Sequence, residues 1–228
     1  STVARAFARH GSKVALLDLA QTPPPALQAE FATTHLLIGG VDLGDVESTR
    51  RAMLASAMRL GGMDVLVNVA GGFRWEKLDG GSLATWDAMY AMNLRSAVAA
   101  SRAALPLLRA AAPAAIVNVG ALAALKAGVG MAAYAASKAG AISLTKTLGQ
   151  AWGPEGVRVN GLAPGIVDTK LTKVTTQSPE RLAGALANIP QRRMGLPADM
   201  AGAAIFLASP LASYVTGHTL IVDGGLSL

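Results

Sequence analysis

Residues 118–138, NVGALAALKAGVGMAAYAASK, carry the pattern on which the interpretation of the whole chain rests. The stretch begins at the end of an apolar run of strand type, passes through a glycine-containing loop and ends in a helical segment. Tyr134 and Lys138 are four residues apart, a spacing that places both side chains on one face of a helix. Between Asn118 and Tyr134 there is no serine and no threonine. The segment therefore predicts a strand, a loop and a helix that presents a Tyr–Lys pair.

The composition predicts one folded α/β domain, residues 1–228, with an aliphatic core. Hydrophobic residues make up 52%, charged residues 15% and aromatic residues 4% of the 228 positions. This mix favours close helix–sheet packing and argues against disorder. There is no cysteine, which excludes disulfides, Cys-based zinc sites and thiol catalysis. The three histidines, His10, His35 and His218, are scattered without metal-ligand spacing.

The charge pattern gives no sign of a nucleic-acid or membrane partner. The net charge is +6, from 20 basic and 14 acidic residues, but the basic residues are dispersed and stacking aromatics are scarce. The longest uncharged run, residues 200–222, is interrupted by polar residues and is predicted to be a helix, a loop and a strand. No secretory signal is visible. We therefore expect a cytoplasmic protein.

Short β-rich runs alternate with longer helical stretches, which is typical of a parallel sheet covered by helices on both faces. Strands are predicted at residues 14–18, 35–41, 65–68, 114–119, 157–162 and 219–222. Helices are predicted at residues 46–60, 82–109, 131–151 and 197–208, with a further one around 179–187. No internal repeat or second domain is visible.

Five motifs, in this order, resemble those of the classical short-chain dehydrogenase/reductase family. They are NVAGG (68–72), Asn93 in MNLRS, YAASK (134–138), RVNGLAPGIVDT (158–169) and GHTLIVDGG (217–225). The resemblance covers nearly the whole chain and implies a single-domain, Rossmann-like, doubly wound parallel sheet that binds NAD(P). It implies an oxidoreductase that transfers hydride between nicotinamide and a secondary alcohol or ketone. Members commonly assemble through their two long helices, so a homotetramer or dimer is expected.

The start of the chain departs from that family. Residues 1–11, STVARAFARHG, form an amphipathic helix already under way, with Val3 and Phe7 on its inward face. A dinucleotide-binding fold has a strand and a glycine-rich turn before this helix. In the strand order 3-2-1-4-5-6-7 the missing first strand is central, so its two neighbours should each have an unpaired edge. We expect an N-terminally truncated chain, the remainder of a longer protein or a sequence whose start was lost, and one that folds poorly.

The resemblance assigns catalysis to Tyr134, Lys138 and Asn93. A free tyrosine has a pKa near 10, and an ammonium group one turn away favours the phenolate, so the pKa of Tyr134 is expected to be lowered. In the family the lysine also hydrogen-bonds the nicotinamide ribose, and the backbone of the asparagine holds a water that links the lysine to solvent. The alternatives are a chance Tyr–Lys spacing and an asparagine that is merely tolerated in a helix.

Two aspartates are candidates for the adenosine end of the cofactor. Asp18 ends the second strand of the family's order, where a carboxylate accepts bonds from the ribose hydroxyls and repels a 2′-phosphate, so NAD is expected rather than NADP. Its alternative is a turn-forming aspartate. Asp42 resembles the residue that contacts adenine, and its alternative is a cap for the following helix.

The remaining cofactor candidates follow two strands. Asn68 is expected to tie its strand end to neighbouring backbone, and Gly71 to let the chain pass close to the cofactor. In the segment after the strand predicted at residues 157–162, which is the sixth strand of the family, Ile166 would meet the nicotinamide carboxamide and Thr169 would lie near the pyrophosphate. Neighbouring positions complete the two motifs: Ala70, Pro164 and Gly165.

Residues 168–194 are predicted to form a mobile lid. Its basic cluster offers a contact for an anionic substrate such as the acyl thioester of a carrier, and consists of Lys170, Lys173, Arg181, Arg192 and Arg193. The lid and the segment that contains Phe73, Arg74 and Trp75 are expected to shape the substrate pocket.

Ala121 stands where the family has its substrate-orienting serine, thirteen residues before the tyrosine. Ser137 is not a substitute, because that position does not face the substrate in the family. Losing one preorganised donor typically costs about 10²–10³ in rate, although a bound water can offset part of the loss. Ala121 thus favours a non-catalytic nucleotide-binding or oligomer-partner protein, whereas Tyr134, Lys138 and Asn93 favour an impaired oxidoreductase.

Overall fold

The computed structural model describes residues 2–22, 25–31, 35–79, 81–126 and 128–228, so that Ser1 of the predicted opening helix lies outside the described residues. The helices are α1 (Thr2–Arg9), α2 (Pro25–Phe31), α3 (Val46–Leu60), α4 (Leu83–Tyr90), α5 (Ser96–Ala110), α6 (Ala132–Trp152), α7 (Lys173–Thr176), α8 (Pro179–Asn188) and α9 (Pro197–Ala208). The strands are β1 (Ala15–Leu17), β2 (Leu36–Ile38), β3 (Val65–Asn68), β4 (Ala114–Val119), β5 (Val157–Pro164) and β6 (Thr219–Val222).

All the pairings between these strands are parallel, and they form two separate sheets. One sheet has the order β3-β4-β5-β6, and the other consists of β1 and β2. Within the described residues no strand pairs with the second edge of β1 or of β3, in agreement with the two unpaired edges that the sequence predicts. The alternation of parallel strands and helices is the predicted Rossmann-like α/β fold.

The core lies on both faces of the four-stranded sheet, because successive side chains of a strand point to opposite faces. On one face Ile116 of β4 packs in a cluster with α3 and α5, which contribute Met53 and Leu108. On the other face Val117 packs in a cluster with α9, which contributes Met200 and Leu207. Val3 and Phe7 of α1 pack against this second cluster, as the amphipathic pattern predicts.

The long helix predicted over residues 82–109 is present, but it is not α-helical throughout. A π-helical segment, Ala91–Arg95, separates α4 from α5 and contains the buried Asn93. A π-turn holds one more residue than an α-turn, and such insertions occur mostly at functional sites. The sequence did not reveal the π-helical segment, because apolar periodicity does not show a single inserted residue. The strands predicted at 14–18 and 35–41 are also shorter, three residues each.

Arg158 joins β5 to the end of α9. Its guanidinium group donates to the carbonyl oxygens of Leu207 (2.8 Å), Ser209 (3.1 Å) and Ala208 (3.3 Å). The last carbonyls of a helix have no partner within the helix, and a positive charge near them is favourable. Burial nevertheless lowers the pKa of Arg158 from its usual value. The side chain therefore positions α9 over the sheet.

Replacing this guanidinium should destabilise the fold. We expect Arg158→Met to lower the free energy of unfolding by about 2–3 kcal/mol, because several carbonyls lose a charged donor. The exposed Arg102→Met should change it by less than about 0.5 kcal/mol. Urea unfolding followed by circular dichroism measures both, and equal effects of the two substitutions would contradict this role of Arg158.

Candidate active site

The carboxyl ends of four parallel strands meet at one edge of the larger sheet. The register pairs Asn68 with Asn118, Val119 with Leu162, and Pro164 with Val222. The loops that follow β3, β4 and β5 therefore start side by side. In open parallel α/β sheets this edge is where ligands bind, and the predicted site residues of three loops are placed there.

Lys138 of α6 is buried at this edge. Its side chain lies over the end of β4, where Nζ donates to the carbonyl oxygen of Val119 at 2.7 Å, and only 4% of the residue is exposed. Tyr134, one turn earlier, is half-buried, and its ring meets Phe73 edge-on with the ring centroids 5.2 Å apart. Tyr134 and Lys138 are thus brought to the same edge of the sheet, as their spacing predicts.

The predicted lowering of the Tyr134 pKa is wrong in this structure. Burial raises the pKa of Tyr134, and burial lowers the pKa of Lys138 to about 8. Desolvation disfavours the charged form of both groups. The hydrogen bond of the Lys138 ammonium group goes to the carbonyl oxygen of Val119. The loss of water around the phenol therefore decides the direction of the Tyr134 pKa shift. The side-chain spacing could not reveal this, because desolvation depends on what packs around the pair.

Asn93 clamps the loop after β3. Its Oδ1 accepts from the backbone N–H of Gly72 (2.9 Å), and its Nδ2 donates to the Gly72 carbonyl oxygen (3.0 Å) and to Ser137 Oγ (3.0 Å). Ser137 Oγ in turn donates to the backbone oxygen of Tyr134 at 2.7 Å. The π-helical segment thus connects the glycine loop to the first turns of α6.

Gly71 lies where a side chain would block the site. A Cβ at Gly71 would come 2.7 Å from Asn93 Oδ1 and 3.2 Å from Lys138 Nζ. The bare backbone, the ammonium group and the neighbouring exposed Ala70 leave an open cradle at the carboxyl edge. A cradle with one buried cation and exposed main chain fits the ribose and nicotinamide end of a dinucleotide. Lys138 and Gly71 are the residues that would hold it.

Asn68 is bonded to side chains rather than to the backbone that the sequence predicted. Its Nδ2 donates to Asn118 Oδ1 (2.8 Å) and Ser101 Oγ (3.1 Å). Asn118 Nδ2 continues to Thr145 Oγ1 at 3.0 Å. Because buried amides are costly without partners, this network ties β3 and β4 to α5 and α6. The sequence could not show it, since the partners are 33 or more residues away.

Ala121 is buried two residues after the end of β4. It is 7% exposed and has an extended backbone, and it precedes the short helix Leu122–Ala124. Its side chain brings no hydroxyl to the site. Ser137 is fully buried and engaged with Asn93 and Tyr134, in agreement with the prediction that it does not replace the missing serine.

The two aspartates that the sequence assigned to the adenosine end lie in exposed turns. Asp18 follows β1, and its Oδ1 accepts the N–H of Ala20 at 3.0 Å, which is the turn arrangement left open as its alternative. Asp42 Oδ1 accepts the N–H of Gly44 at 2.7 Å. The suggestion that Asp42 caps the next helix is wrong, because α3 is capped by Asp45. Both carboxylates remain accessible at their loops.

The segment after β5 leads into a cavity at the same edge of the sheet. Gly165 has no room for a side chain, because a Cβ there would lie 2.6 Å from that of Asp223. A cavity of about 280 Å³ follows, lined by Ile166, Gln191, Arg193, Met200 and Asp223 among others. Thr169, by contrast, is bonded within its own turn, where its N–H donates to Thr172 Oγ1.

The basic cluster of the predicted lid is only partly free to meet a ligand. Arg193 forms an ion pair with Asp199 (2.6 Å), and Arg192 donates to the carbonyl oxygen of Ala187 (2.6 Å). The other three side chains are exposed: Lys170, Lys173 and Arg181. The residues that flank the predicted lid, Val167 and Gly195, form a parallel bridge.

One contact near Tyr134 had no counterpart in the sequence prediction. The indole of Trp75 lies on Gly130, where a Cβ would come 2.1 Å from Nε1. The N–H of Glu76 also donates to the carbonyl oxygen of Gly130 at 3.1 Å. These contacts join the loop after β3 to the loop before α6. In the sequence this approach is marked only by the glycine at position 130, which adopts a φ of 76° and leaves room for the indole.

The described part of the chain contains no group of three or more His, Cys, Asp or Glu side chains that could hold a metal ion. None of its helices is both long and apolar enough to cross a membrane.

Comparison with known proteins gives matches along the whole chain. A family model described as Enoyl-(Acyl carrier protein) reductase matches residues 1–227. D-threitol dehydrogenase of Mycolicibacterium smegmatis is 35% identical over 231 residues, which cover all of this chain and 88% of that protein. Inactive 2-(S)-hydroxypropyl-CoM dehydrogenase 2 of Xanthobacter autotrophicus is 36% identical, with 99% of both chains covered.

A solved structure has the same fold. The gluconate 5-dehydrogenase of Burkholderia cenocepacia, in complex with NADP and tartrate, superimposes with a TM-score of 0.93 at 30% sequence identity. The match covers 99% of this chain and 89% of that one. Together with the family model and the relatives, it shows that the chain belongs to the classical short-chain dehydrogenase/reductase family.

Proposed function

We propose that this protein is an oxidoreductase that transfers a hydride between a nicotinamide cofactor and a secondary alcohol or ketone. The observation that carries the proposal is the Tyr134–Lys138 pair at the carboxyl edge of the sheet, with Lys138 Nζ buried against Val119. The relatives are oxidoreductases that act on CH–OH groups, which supports the same reaction class for this chain.

The roles proposed for the pair follow from their protonation. The nicotinamide, when bound, supplies or accepts the hydride. Burial raises the pKa of Tyr134, so the phenol is protonated at neutral pH and suited to give its proton to a carbonyl oxygen during reduction. Lys138, with a pKa of about 8, is mostly charged at pH 7 and stabilises negative charge that develops on the phenol oxygen.

We propose NAD as the preferred cofactor. Asp18 is exposed at the end of β1, where its carboxylate would favour a free ribose hydroxyl over a 2′-phosphate. The proposed dinucleotide contacts include Asp42, Ala70 and Gly71 on one side. On the other side they include the segment after β5: Pro164, Gly165, Ile166 and Thr169.

The proposed setting is a cytoplasmic homotetramer or homodimer. Its contacts would involve α4, α5 and α6, whose faces are rich in alanine and carry few charges. Residues 168–194 are proposed to be the lid of the substrate pocket.

A non-catalytic protein that binds nucleotide or serves as a partner subunit is the second candidate. Ala121 favours it, because the loop after β4 supplies no hydroxyl at the position where the family has its substrate-orienting serine. The relative from Xanthobacter autotrophicus that bears "Inactive" in its name matches this chain over 99% of both lengths. Under this reading the Tyr–Lys pair holds the cofactor without turnover.

Turnover assays separate the two candidates. D-threitol and gluconate are incubated with NAD⁺ or NADP⁺, and nicotinamide absorbance is followed. The proposed enzyme should oxidise at least one of them, and Tyr134→Phe should reduce kcat by 10²-fold or more, about the size of a general acid–base contribution. Tyr90→Phe is the matched control and should retain activity.

Dinucleotide binding without turnover would support the second candidate. Equal rates with NAD⁺ and NADP⁺ would contradict the role of Asp18.

Restoring the hydroxyl tests the role of position 121. We expect Ala121→Ser to raise kcat by about tenfold or more, since one preorganised donor is worth about 10²–10³. Ala124→Ser, in the adjacent short helix, controls for an added hydroxyl and should change kcat by less than about twofold. An unchanged kcat in Ala121→Ser would show that the absence of this hydroxyl does not limit turnover.

The buried charge of Lys138 should cost stability at neutral pH. Its pKa of about 8 lies below the usual 10.5, so the unfolded chain binds more protons between these values and stability rises with pH across that window. The shift corresponds to about 3 kcal/mol. We expect Lys138→Met to be more stable than the wild type at pH 7, by up to about 3 kcal/mol, and to be inactive.

The direction of this pH dependence is tested by comparing Lys138→Met with the wild type at two pH values. Urea unfolding at pH 7 and pH 10 gives the stability difference, in which the other titrating groups cancel. The advantage of Lys138→Met should shrink towards pH 10, because the native lysine is then already neutral. An advantage that grows with pH would show that the ammonium group is not penalised by burial.

A further inference from the structure

Ser137 is a buried polar group for which the reaction has no assigned use. It lies between the proposed catalytic residues, three positions after Tyr134 and directly before Lys138, and none of its surface is exposed. Its Oγ donates to the backbone oxygen of Tyr134 at 2.7 Å and accepts from Asn93 Nδ2 at 3.0 Å. The hydroxyl thus makes one bond to the catalytic helix and one to the π-helical segment.

Asn93 makes two further bonds to one residue of the loop after β3, and its Nδ2 also has a long contact to Met89 Sδ at 3.8 Å. Oδ1 accepts from the N–H of Gly72, and Nδ2 donates to its carbonyl oxygen. An amide nitrogen has two protons, so the bonds to Gly72 and Ser137 use both. Without the Ser137 hydroxyl, one buried N–H would keep only the weak thioether acceptor of Met89, so the bonds to Gly72 alone would fix the amide and hold it less firmly.

The loop that Asn93 holds is the one that adjoins Lys138. A Cβ on Gly71 would lie 3.2 Å from Lys138 Nζ and 2.7 Å from Asn93 Oδ1, so these three residues are in close contact. A rotation of the Asn93 amide would therefore shift the glycine loop against the ammonium group. Displacements of about 1 Å in such a site can cost 10²-fold in rate.

We propose that Ser137 is a positioning residue that acts through Asn93 to fix the loop of Gly71 and Gly72 against Tyr134 and Lys138. This inference rests on the proposed oxidoreductase function, since positioning is useful only if the pair turns over a substrate. The role goes beyond holding α6 together, because the hydroxyl selects the orientation of an amide that lies against the site.

Thr145 on the same helix provides a matched comparison. It is also fully buried, its Oγ1 donates to the backbone oxygen of Ala141 (2.9 Å), and it accepts from Asn118 Nδ2 (3.0 Å). Back-bonding hydroxyls of this kind are a general feature of helices. Thr145 therefore has the same bonding chemistry as Ser137, about two turns further from Tyr134 and without a bond to Asn93.

The comparison of Ser137→Ala with Thr145→Val tests the proposal. Both substitutions remove a buried hydroxyl of similar bonding and should lower the melting temperature to a similar degree. With D-threitol and NAD⁺, at a temperature where both variants are folded, Ser137→Ala should lower kcat about tenfold, while Thr145→Val changes it by less than twofold. Similar kcat values in the two variants would overturn the proposal.

A double-mutant cycle checks that Ser137 acts through Asn93. In the Asn93→Ala background, Ser137→Ala should lower kcat by less than twofold, because residues that work as one unit give non-additive effects. A tenfold loss in both backgrounds would show that the hydroxyl acts by another route and would overturn the proposal.

A readout that needs no turnover keeps this test separate from the proposed function. The N–H of Gly72 donates to Asn93 Oδ1, so its hydrogen exchange, measured by NMR, should become about tenfold faster in Ser137→Ala and stay unchanged in Thr145→Val. Unchanged exchange in Ser137→Ala would overturn the positioning role even in an active enzyme. Faster exchange in a wild type without turnover would support the positioning and reject the function.

Discussion

The hydrogen bond from Lys138 Nζ to the carbonyl oxygen of Val119 is the interaction on which the arrangement of the site depends. An ammonium group that is taken out of water loses hydration, and the fall of its pKa to about 8 reflects that loss. The bond offsets part of this cost by directing the charge at the last residue of β4. It also holds α6 in one position relative to the sheet edge, so that Tyr134 and the glycine loop meet around the same ammonium group.

Buried amides connect the strand ends and the glycine loop to the neighbouring helices. Asn68 and Asn118 connect the ends of β3 and β4 to hydroxyls of α5 and α6, while Asn93 connects the glycine loop to Ser137. Each amide is costly to bury but has specific partners, and a network with its bonds satisfied favours one packing of the helices over others. The glycine loop is therefore positioned by the directional bonds of Asn93, whereas the bonds of Asn68 and Asn118 stabilise the packing of α5 and α6 on the sheet.

Ala121 shows that a framework can be retained while one of its chemical groups is absent. The clamp of Asn93, the buried Lys138 and the bare backbone of Gly71 are all present, while Ala121 in the loop after β4 carries only a methyl group. Alanine is small and apolar, so the loss of a hydroxyl there disturbs no packing. Retention of a destabilising buried charge in such a site is simplest to understand if the charge still serves a cofactor or a reaction.

The sequence by itself determined the α/β class, the family and the bounds of elements such as Val65–Asn68, Ala114–Val119 and Pro197–Ala208, because apolar periodicity and short motifs are local properties. It also placed Tyr134 and Lys138 on one helical face. Only the tertiary structure decided the π-helical segment at Asn93, the side-chain partners of Asn68 and the direction of the Tyr134 pKa shift. These depend on groups far apart in the chain, and desolvation and amide orientation exist only once those groups are packed together.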